Sequence, residues 1–332
     1  MFFAIVSDAP NEQGQFMSTA VHSADAAPHV ELEALALALE LHHDCRVIRK
    51  FVPKTHYHLG TPAGLSRGII LDTESTGTDI RVDKIIELGM ILFEFCPDTG
   101  KVYRVLDTFN QLEDPGMPIP AGATAVNGIV DEMVAGKSIV DAEVASFIKD
   151  VDIIIAHKSD FDRPMVERRF PFFADAAWGC SLRQVDWNAE DIGSHKLDYI
   201  TYRLGYYYEA HRAEADCAAL LEALQRPLPV SDGLALKQIL ERSAQQSHRI
   251  RALGAPFDKK DELKKRGYSW GDGTDGNEKA WYLEVPASDY DAEIAWLKQN
   301  VHSGKGFRVA VETVDALNRF SIRNGDRQSK MY

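Results

Sequence analysis

The sequence predicts an α/β protein: a mixed β-sheet flanked by helices, followed by a small C-terminal α/β unit. Three observations carry this expectation. Residues 68–110 hold three apolar runs joined by short turns, which read as an antiparallel meander. Beyond residue 140 a fully apolar strand alternates with helical stretches, the order that places helices on the faces of a sheet. With 332 residues and 45% hydrophobic content, the chain can bury a sizeable core and fill two or three domains.

Residues 1–66 read as an N-terminal cap without evident chemistry. There "VELEALALALELHH" spaces Leu32, Leu35 and Leu39 as on a helix, and "CRVIRKFV" follows as a strand. "TPAGLSRG", residues 61–68, has the Gly, Pro and Ser of a linker and sets a boundary near Arg67. Then come the strands "GIILD", "IIELGMILFEF" and "VYRVLDTFN", a Pro-rich loop "EDPGMPIPAGA" leading into a helix, a helix at "DAEVASFIKD" and the strand "DIIIAH". Helices are expected at "DRPMVERRF", "KLDYITYRLG" and "EADCAALLEAL". Past "RPLPVSDG" the character changes, and residues 229–332 read as a compact α/β domain with a Gly-rich hairpin.

No run approaches the 18 or more apolar residues of a membrane span, and the start "MFFAIVSDAP" lacks the basic region of a signal peptide, so a cytoplasmic protein without a membrane partner is expected. Cys45, Cys96, Cys180 and Cys217 form no CxxC pair and are expected as buried small side chains. A formal charge of −13 argues against a protein that coats nucleic acid. Residues 237–268 run against that trend, with nine basic residues to four acidic ones.

In "ILDTESTG", residues 70–77, Asp72 and Glu74 stand two apart where an apolar run ends. On a strand they project from one face, about 7 Å apart, and can reach one hard divalent cation; an acidic solvated turn is the alternative. In "IIIAHKSDFDRPMV", Asp160 and Asp162 both open a helix, where the dipole alone favours carboxylates. In "AHRAEADCAALLEAL", His211 sits in the turn before a helix and Asp216 about one turn into it. Together the three segments deliver the carboxylates that a two-ion phosphodiesterase requires.

"DTESTG", "AHKSDFD" and "HRAEAD" resemble the three motifs of DEDD-superfamily exonucleases, on a ribonuclease H-like fold, as in the proofreading epsilon subunit of bacterial DNA polymerase III. The resemblance covers residues 67 to about 226, and His211-x4-Asp216 matches its histidine branch, Arg212 standing where the other branch has Tyr. It implies a 67–228 exonuclease domain in which Asp72, Glu74, Asp162 and Asp216 bind two Mg²⁺ or Mn²⁺ ions and His211 is the general base. Asp162 rather than Asp160 is implied because the ligand follows the phenylalanine, here Phe161. Ser75, Thr76, Val126, Asn127 and Phe161 are implied as substrate contacts. Lys158 and Asn127 depart from residues common in the family, which puts contacts to the terminal nucleotide in doubt rather than metal binding.

The resemblance therefore implies hydrolysis of single-stranded DNA from its 3′ end to nucleoside 5′-monophosphates, with a polymerase or repair complex as possible partner. An RNA-trimming exonuclease or oligoribonuclease would share these motifs, and a non-catalytic accessory module is the reading from another class. The segment "GAPFDKKDELKKRGYSW" with "AWYLEV" also resembles the C-terminal extension of some epsilon-like exonucleases. Its basic residues, interleaved with Tyr268, Trp270, Trp281 and Tyr282, read either as a stacking surface for single strands or as a small core beside solvated lysines.

Overall fold

The computed structural model describes residues 5–7, 29–60, 62–273, 278–323 and 327–332. Strand β1 (Ile5–Ser7) pairs antiparallel with β2 (Cys45–Val47), on either side of helix α1 (His29–Glu40). The rest of the expectation drawn from "MFFAIVSDAP" lies outside the described residues. In α1 Ala36 is buried and Leu32 and Leu39 are half-buried, but Leu35 is exposed, so the covered face runs 32/36/39 rather than through Leu35. Next comes β3 (Arg49–Lys50).

The first large sheet is built from β4 (Ser66–Ser75), β5 (Ile85–Phe95) and β6 (Val102–Leu112). Three short helices follow: α2 (Ala121–Asn127), α3 (Asp131–Val134) and α4 (Asp141–Phe147). Then come β7 (Ile153–Ala156), α5 (Ser159–Arg169), β8 (Trp178–Cys180), α6 (Ser181–Gln184) and α7 (Leu197–Arg203). Last are β9 (Tyr206–Tyr207), α8 (Ala213–Gln225) and α9 (Ala235–Ala244). The sheet order is β6-β5-β4-β7-β8, antiparallel in the meander and parallel from β4 to β8. It is the mixed sheet flanked by helices that the order of apolar runs predicts. On one face Ile69 and Leu71 pack against Met165 and Val166 of α5; on the other Ile70 and Ile91 pack against Cys217, Leu220 and Leu221 of α8. Parallel β3–β9 pairing and the packing of Phe51 and Tyr57 bind the N-terminal segment to that second core.

The second sheet comprises β10 (Ser247–Leu253), β11 (Ser269–Gly271), β12 (Ala280–Pro286), β13 (Arg308–Val314) and β14 (Arg327–Met331), with α10 (Lys260–Arg266) and α11 (Tyr290–Trp296). Its order is β11-β12-β10-β13-β14, antiparallel throughout. From β10 to β13 the elements follow the β-α-β-β-α-β order of ferredoxin-like units. The expected hairpin is β11–β12; its tip, residues 274–277, lies outside the described residues. Tyr268 is buried in this unit's core with its ring stacked on Trp296, which accounts for one of the four aromatics as packing. α9 falls within residues 229–332, yet its Leu236 and Ile239 complete the core of the first sheet.

The two sheets are joined by a seam of polar contacts. Arg163, fully buried on α5, pairs with Glu167 at 2.7 Å and donates to the carbonyls of Ala316, Leu317 and Arg319, while Trp178 N–H of edge strand β8 donates to Ala316 O at 2.8 Å. A segment of the C-terminal unit thus covers an edge that would otherwise present unpaired backbone groups. Of the cysteines, Cys180 and Cys217 are buried as expected, whereas Cys45 and Cys96 are half-buried beside polar turns; all four are free. No helix among the described residues is long and apolar enough to cross a membrane.

One residue decides how closely α8 approaches the meander. Gly89 of β5 lies opposite Asp72, and a Cβ there would sit 2.6 Å from the carbonyl carbon of Ala213 at the start of α8. We expect Gly89→Ala to push the helix off the strand and cost about 1–3 kcal/mol of stability, the range for overpacking a tight core. Urea unfolding checks the stability; an unchanged midpoint would mean that α8 is not seated by this contact.

Candidate active site

β4 continues three residues past Asp72 because Thr73, Glu74 and Ser75 go on pairing with β5, with a register shift at Glu74/Ser75. Both carboxylates therefore leave the strand from one face, at an irregularity of the kind that re-aims side chains beside functional sites. α8 meets that same face and brings Asp216 over it. Carboxylate oxygens of Asp72, Glu74 and Asp216 lie within 4.8 Å of one another.

Asp162 arrives from the opposite face of the sheet, in the first turn of α5. It is buried, and its Oδ1 accepts a hydrogen bond from Thr73 Oγ1 at 2.8 Å. Although outside the three-carboxylate group, it contributes the largest neighbouring charge felt by Asp72. Asp160 has a different engagement: its carboxylate pairs with Arg183 at 2.6 Å, on the side facing the C-terminal unit.

Electrostatics records the crowding. Burial first, then the charges of Asp162, Asp216 and Glu74, hold the Asp72 carboxyl well above its usual range. Burial and Asp216 push Glu74 up to about 7 against a hydrogen bond from Asn127, and burial pushes Asp162 up to about 7 against the Thr73 bonds. Asp216 is raised by burial while Tyr208, His211 N–H and Arg212 N–H oppose the rise. Clustered carboxylates whose charged forms are disfavoured until a cation arrives make the donor set of a hard divalent ion. Asp72, Glu74 and Asp216 fit such an ion, and Asp162 stands beside them.

His211 is exposed, and its backbone lies in the left-handed region at φ 70°. That turn points two successive N–H groups, from His211 at 2.7 Å and Arg212 at 3.1 Å, at Asp216 Oδ2, while Tyr208 OH donates to Oδ1 at 2.6 Å. Asp216 is thus aimed by three donors before any ligand binds.

The expected substrate contacts divide. Ser75 Oγ donates to Gly77 O at 2.6 Å, and buried Thr76 has its hydroxyl between Asp83 and Lys84 N–H, so both side chains serve the turn. Buried Asn127 accepts from Ile129 N–H and donates to Glu74, positioning a carboxylate instead of facing open space. Val126 is exposed at the end of α2, and half-buried Phe161 lies under Lys158, whose Nζ is 5.4 Å from the ring centroid.

Sequence reasoning passed over Glu87 and Tyr208. Glu87 is fully buried opposite Glu74; Arg212 binds it through Nε and Nη2, with Asn110 and Ala213 N–H as further donors. Burial pushes Glu87 up, but these hydrogen bonds outweigh it and hold the carboxyl below its usual range. Its signal was visible as the one charge in the otherwise apolar start of "IIELGMILFEF". Tyr208, one of three consecutive tyrosines, had no distinguishing signal.

A cluster of carboxylates at the end of the central strand of a mixed sheet, able to hold a metal ion, is the class of site this fold presents. Residues 69–224 match the family model described as Exonuclease (RNase_T). The chain is 32% identical over 179 residues to a DNA polymerase III subunit epsilon-like protein of Rhodobacter capsulatus, covering 51% of this chain and 25% of that protein. It is 26% identical over 163 residues to a PolC-type DNA polymerase III of Clostridium perfringens, covering 47% of this chain and 11% of that one. It thus spans a quarter or less of the length of these relatives. A solved structure of exonuclease X in complex with 5′ overhanging duplex DNA superposes on 52% of this chain and 98% of that chain, at 23% identity and a TM-score of 0.38.

The raised carboxylates set a pH dependence. A group such as Glu74, at about 7 when folded, contributes stability that is fully present below its unfolded value of about 4.3 and lost as pH rises through 7. Buried His157 works the other way: burial lowers it to about 4, so stability is lost as pH falls from about 6.5 toward 4. Comparing Glu74→Gln with the parent isolates the carboxylate. In EDTA, urea unfolding should find the variant more stable than the parent at pH 8 and nearly equal at pH 5. Equal stability at pH 8 would mean that the cluster carries no strain.

Proposed function

We propose that the chain is a divalent-metal-dependent 3′-to-5′ exonuclease that removes nucleoside 5′-monophosphates from single-stranded DNA. The observation that carries this reading is the convergence of Asp72, Glu74 and Asp216 within 4.8 Å, beside buried Asp162, in an exonuclease domain. In this reading the four carboxylates hold two Mg²⁺ or Mn²⁺ ions. Bound there, such ions stabilise the charge that develops on the attacking and departing oxygens of an in-line displacement.

The chain's own groups do the rest. His211, exposed on the turn that grips Asp216, takes the proton of the attacking water. Exposed Val126 and half-buried Phe161 offer apolar surface to the terminal nucleoside. Tyr208 and Asn127 act one layer behind, holding Asp216 and Glu74 at fixed angles. A DNA polymerase is the partner class suggested by the names of the relatives.

Digestion of 5′-labelled dT20, rU20 and duplex DNA with Mg²⁺ or EDTA tests the reading. Digestion shortening the labelled strand from its 3′ end, abolished by EDTA and by Asp72→Asn, is expected; a preference for rU20 would move the substrate to RNA. No Mg²⁺-dependent digestion of any substrate would end the proposal. His211→Ala should lower turnover by about 10²- to 10⁴-fold, the range of general-base removal. Asp160→Asn should cost far less than Asp162→Asn, because Asp160 faces Arg183. Equal losses at the two positions would undo that assignment.

A further inference from the structure

α10, α11 and the turn that follows it cover one face of the second sheet with Leu263, Ile294 and Leu297, and leave the other face polar. By strand alternation Ser247, Arg249 and Arg251 of β10 lie on that polar face. The register sets Glu284 and Tyr282 of β12 directly beside Arg249 and Arg251. The polar face is one wall of a cleft of about 630 Å³. Asp160 and Arg183 of the exonuclease domain, Arg242 of α9 and residues 319–323 supply the other walls.

Six arginines and only two acidic residues line the cleft, in a chain of net charge −13. Some of these arginines build it: Arg319 donates to Arg242 O and Gln245 O, and Arg249 lies between Glu284 and Glu312, 3.3 Å from each. Arg242 is exposed at the rim, and so is Arg183, with 58% of its side chain accessible. Tyr282 is half-buried with the Arg251 guanidinium 5.1 Å from its ring centroid, giving the wall a flat aromatic surface. Asp160 and Asp162 stand two residues apart in the first turn of α5, about 200° around the helix, so that turn presents one carboxylate to the cleft and the other to the carboxylate cluster.

We propose that this cleft holds the single-stranded segment of a nucleic acid whose 3′ end lies at the carboxylates, with Arg183 and Arg242 on its phosphates and Tyr282 stacked on a base. The assignment rests on the exonuclease reading and adds to it the surface that holds the strand. Cationic grooves floored by aromatic rings are how single strands are gripped without sequence preference. The central strands of a four-stranded sheet with helices behind it carry such contacts in RNA-binding modules. The lysines of α10 lie on the helix side of the sheet, away from the cleft, and provide a control of equal charge.

Fluorescence anisotropy of labelled dT20 and rU20 in EDTA reads binding without hydrolysis. Arg242→Gln and Tyr282→Leu should each weaken binding about fivefold or more at low salt, and Arg242→Gln should lower the slope of log K against log salt by about 0.7. Lys265→Gln should change neither quantity. The oligonucleotide that suffers the larger loss identifies the sugar the cleft prefers. Should Tyr282→Leu misfold by circular dichroism, exposed Arg242 carries the test alone. Parental affinity in Arg242→Gln, an equal loss in Lys265→Gln, or no binding by the parent would each overturn the proposal. A protein that binds strands through the cleft but digests nothing would refute the nuclease reading alone.

Discussion

Carboxylates held within 4.8 Å of each other repel, and much of the surrounding structure works against that repulsion. Two unit charges at that distance interact by about 3–4 kcal/mol in an effective dielectric of about 20. Asp72 and Glu74 cannot move apart because β4 stays paired with β5 through both residues. Asp216 cannot withdraw because α8 is fastened at its first turn, where Arg212 and Ala213 N–H both bind buried Glu87. A buried carboxylate held by hydrogen bonds thus anchors the clustered ones: donors hold Glu87 below its usual range, whereas burial raises Asp72, Glu74 and Asp216.

The supporting contacts are specific to single oxygens. Asp216 has one oxygen on Tyr208 and the other on two backbone N–H groups; Asp162 has one oxygen on Thr73; Glu74 is met by Asn127. Each bond leaves acceptor capacity on the carboxylate, since an ionised carboxyl has about four lone-pair sites. Side chains orient the ligands without saturating them, the usual division between groups that hold a metal and groups that aim those groups. The left-handed backbone at His211 belongs to the same economy, because that turn carries the two N–H groups that meet Asp216 Oδ2.

How much of this was legible depends on the range of the interactions involved. The shared face of Asp72 and Glu74 follows from strand alternation alone, and the antiparallel meander from the sequence of apolar runs, whereas β8 was not read. The separate engagement of Asp160 and Asp162 depends on Arg183 and Thr73, respectively 23 and 89 residues away, which spacing cannot show. The resemblance, not the local pattern, chose between them. α9 went unread although Leu236, Ile239 and Leu240 have helical spacing, because the preceding "RPLPVSDG" suggested that the first unit had ended. Its hydrophobic stripe belongs to a core formed mostly before it in the chain, and only packing reveals that. The basic stretch 237–268 was visible as composition, but the fold divides it: Arg242, Arg249 and Arg251 line the cleft, whereas Arg266 and the lysines of α10 lie on the helix side of the sheet.

That division reconciles a net charge of −13 with the polyanionic substrate of the proposed function. At physiological ionic strength surface charges are screened beyond about 8 Å, so a strand within a cleft responds to the groups lining it far more than to the chain's total. Here the lining is arginine-rich, and the nearest reactive acids are those whose repulsion a divalent cation would offset. A single strand entering along Arg242 and Arg183 would meet cationic groups first and the carboxylates last. The carboxylates would present a favourable surface to phosphate only with cations bound. On the proposed function, the same crowding that raises the carboxylates makes strand engagement there conditional on the metal, and separates holding a strand from cutting it.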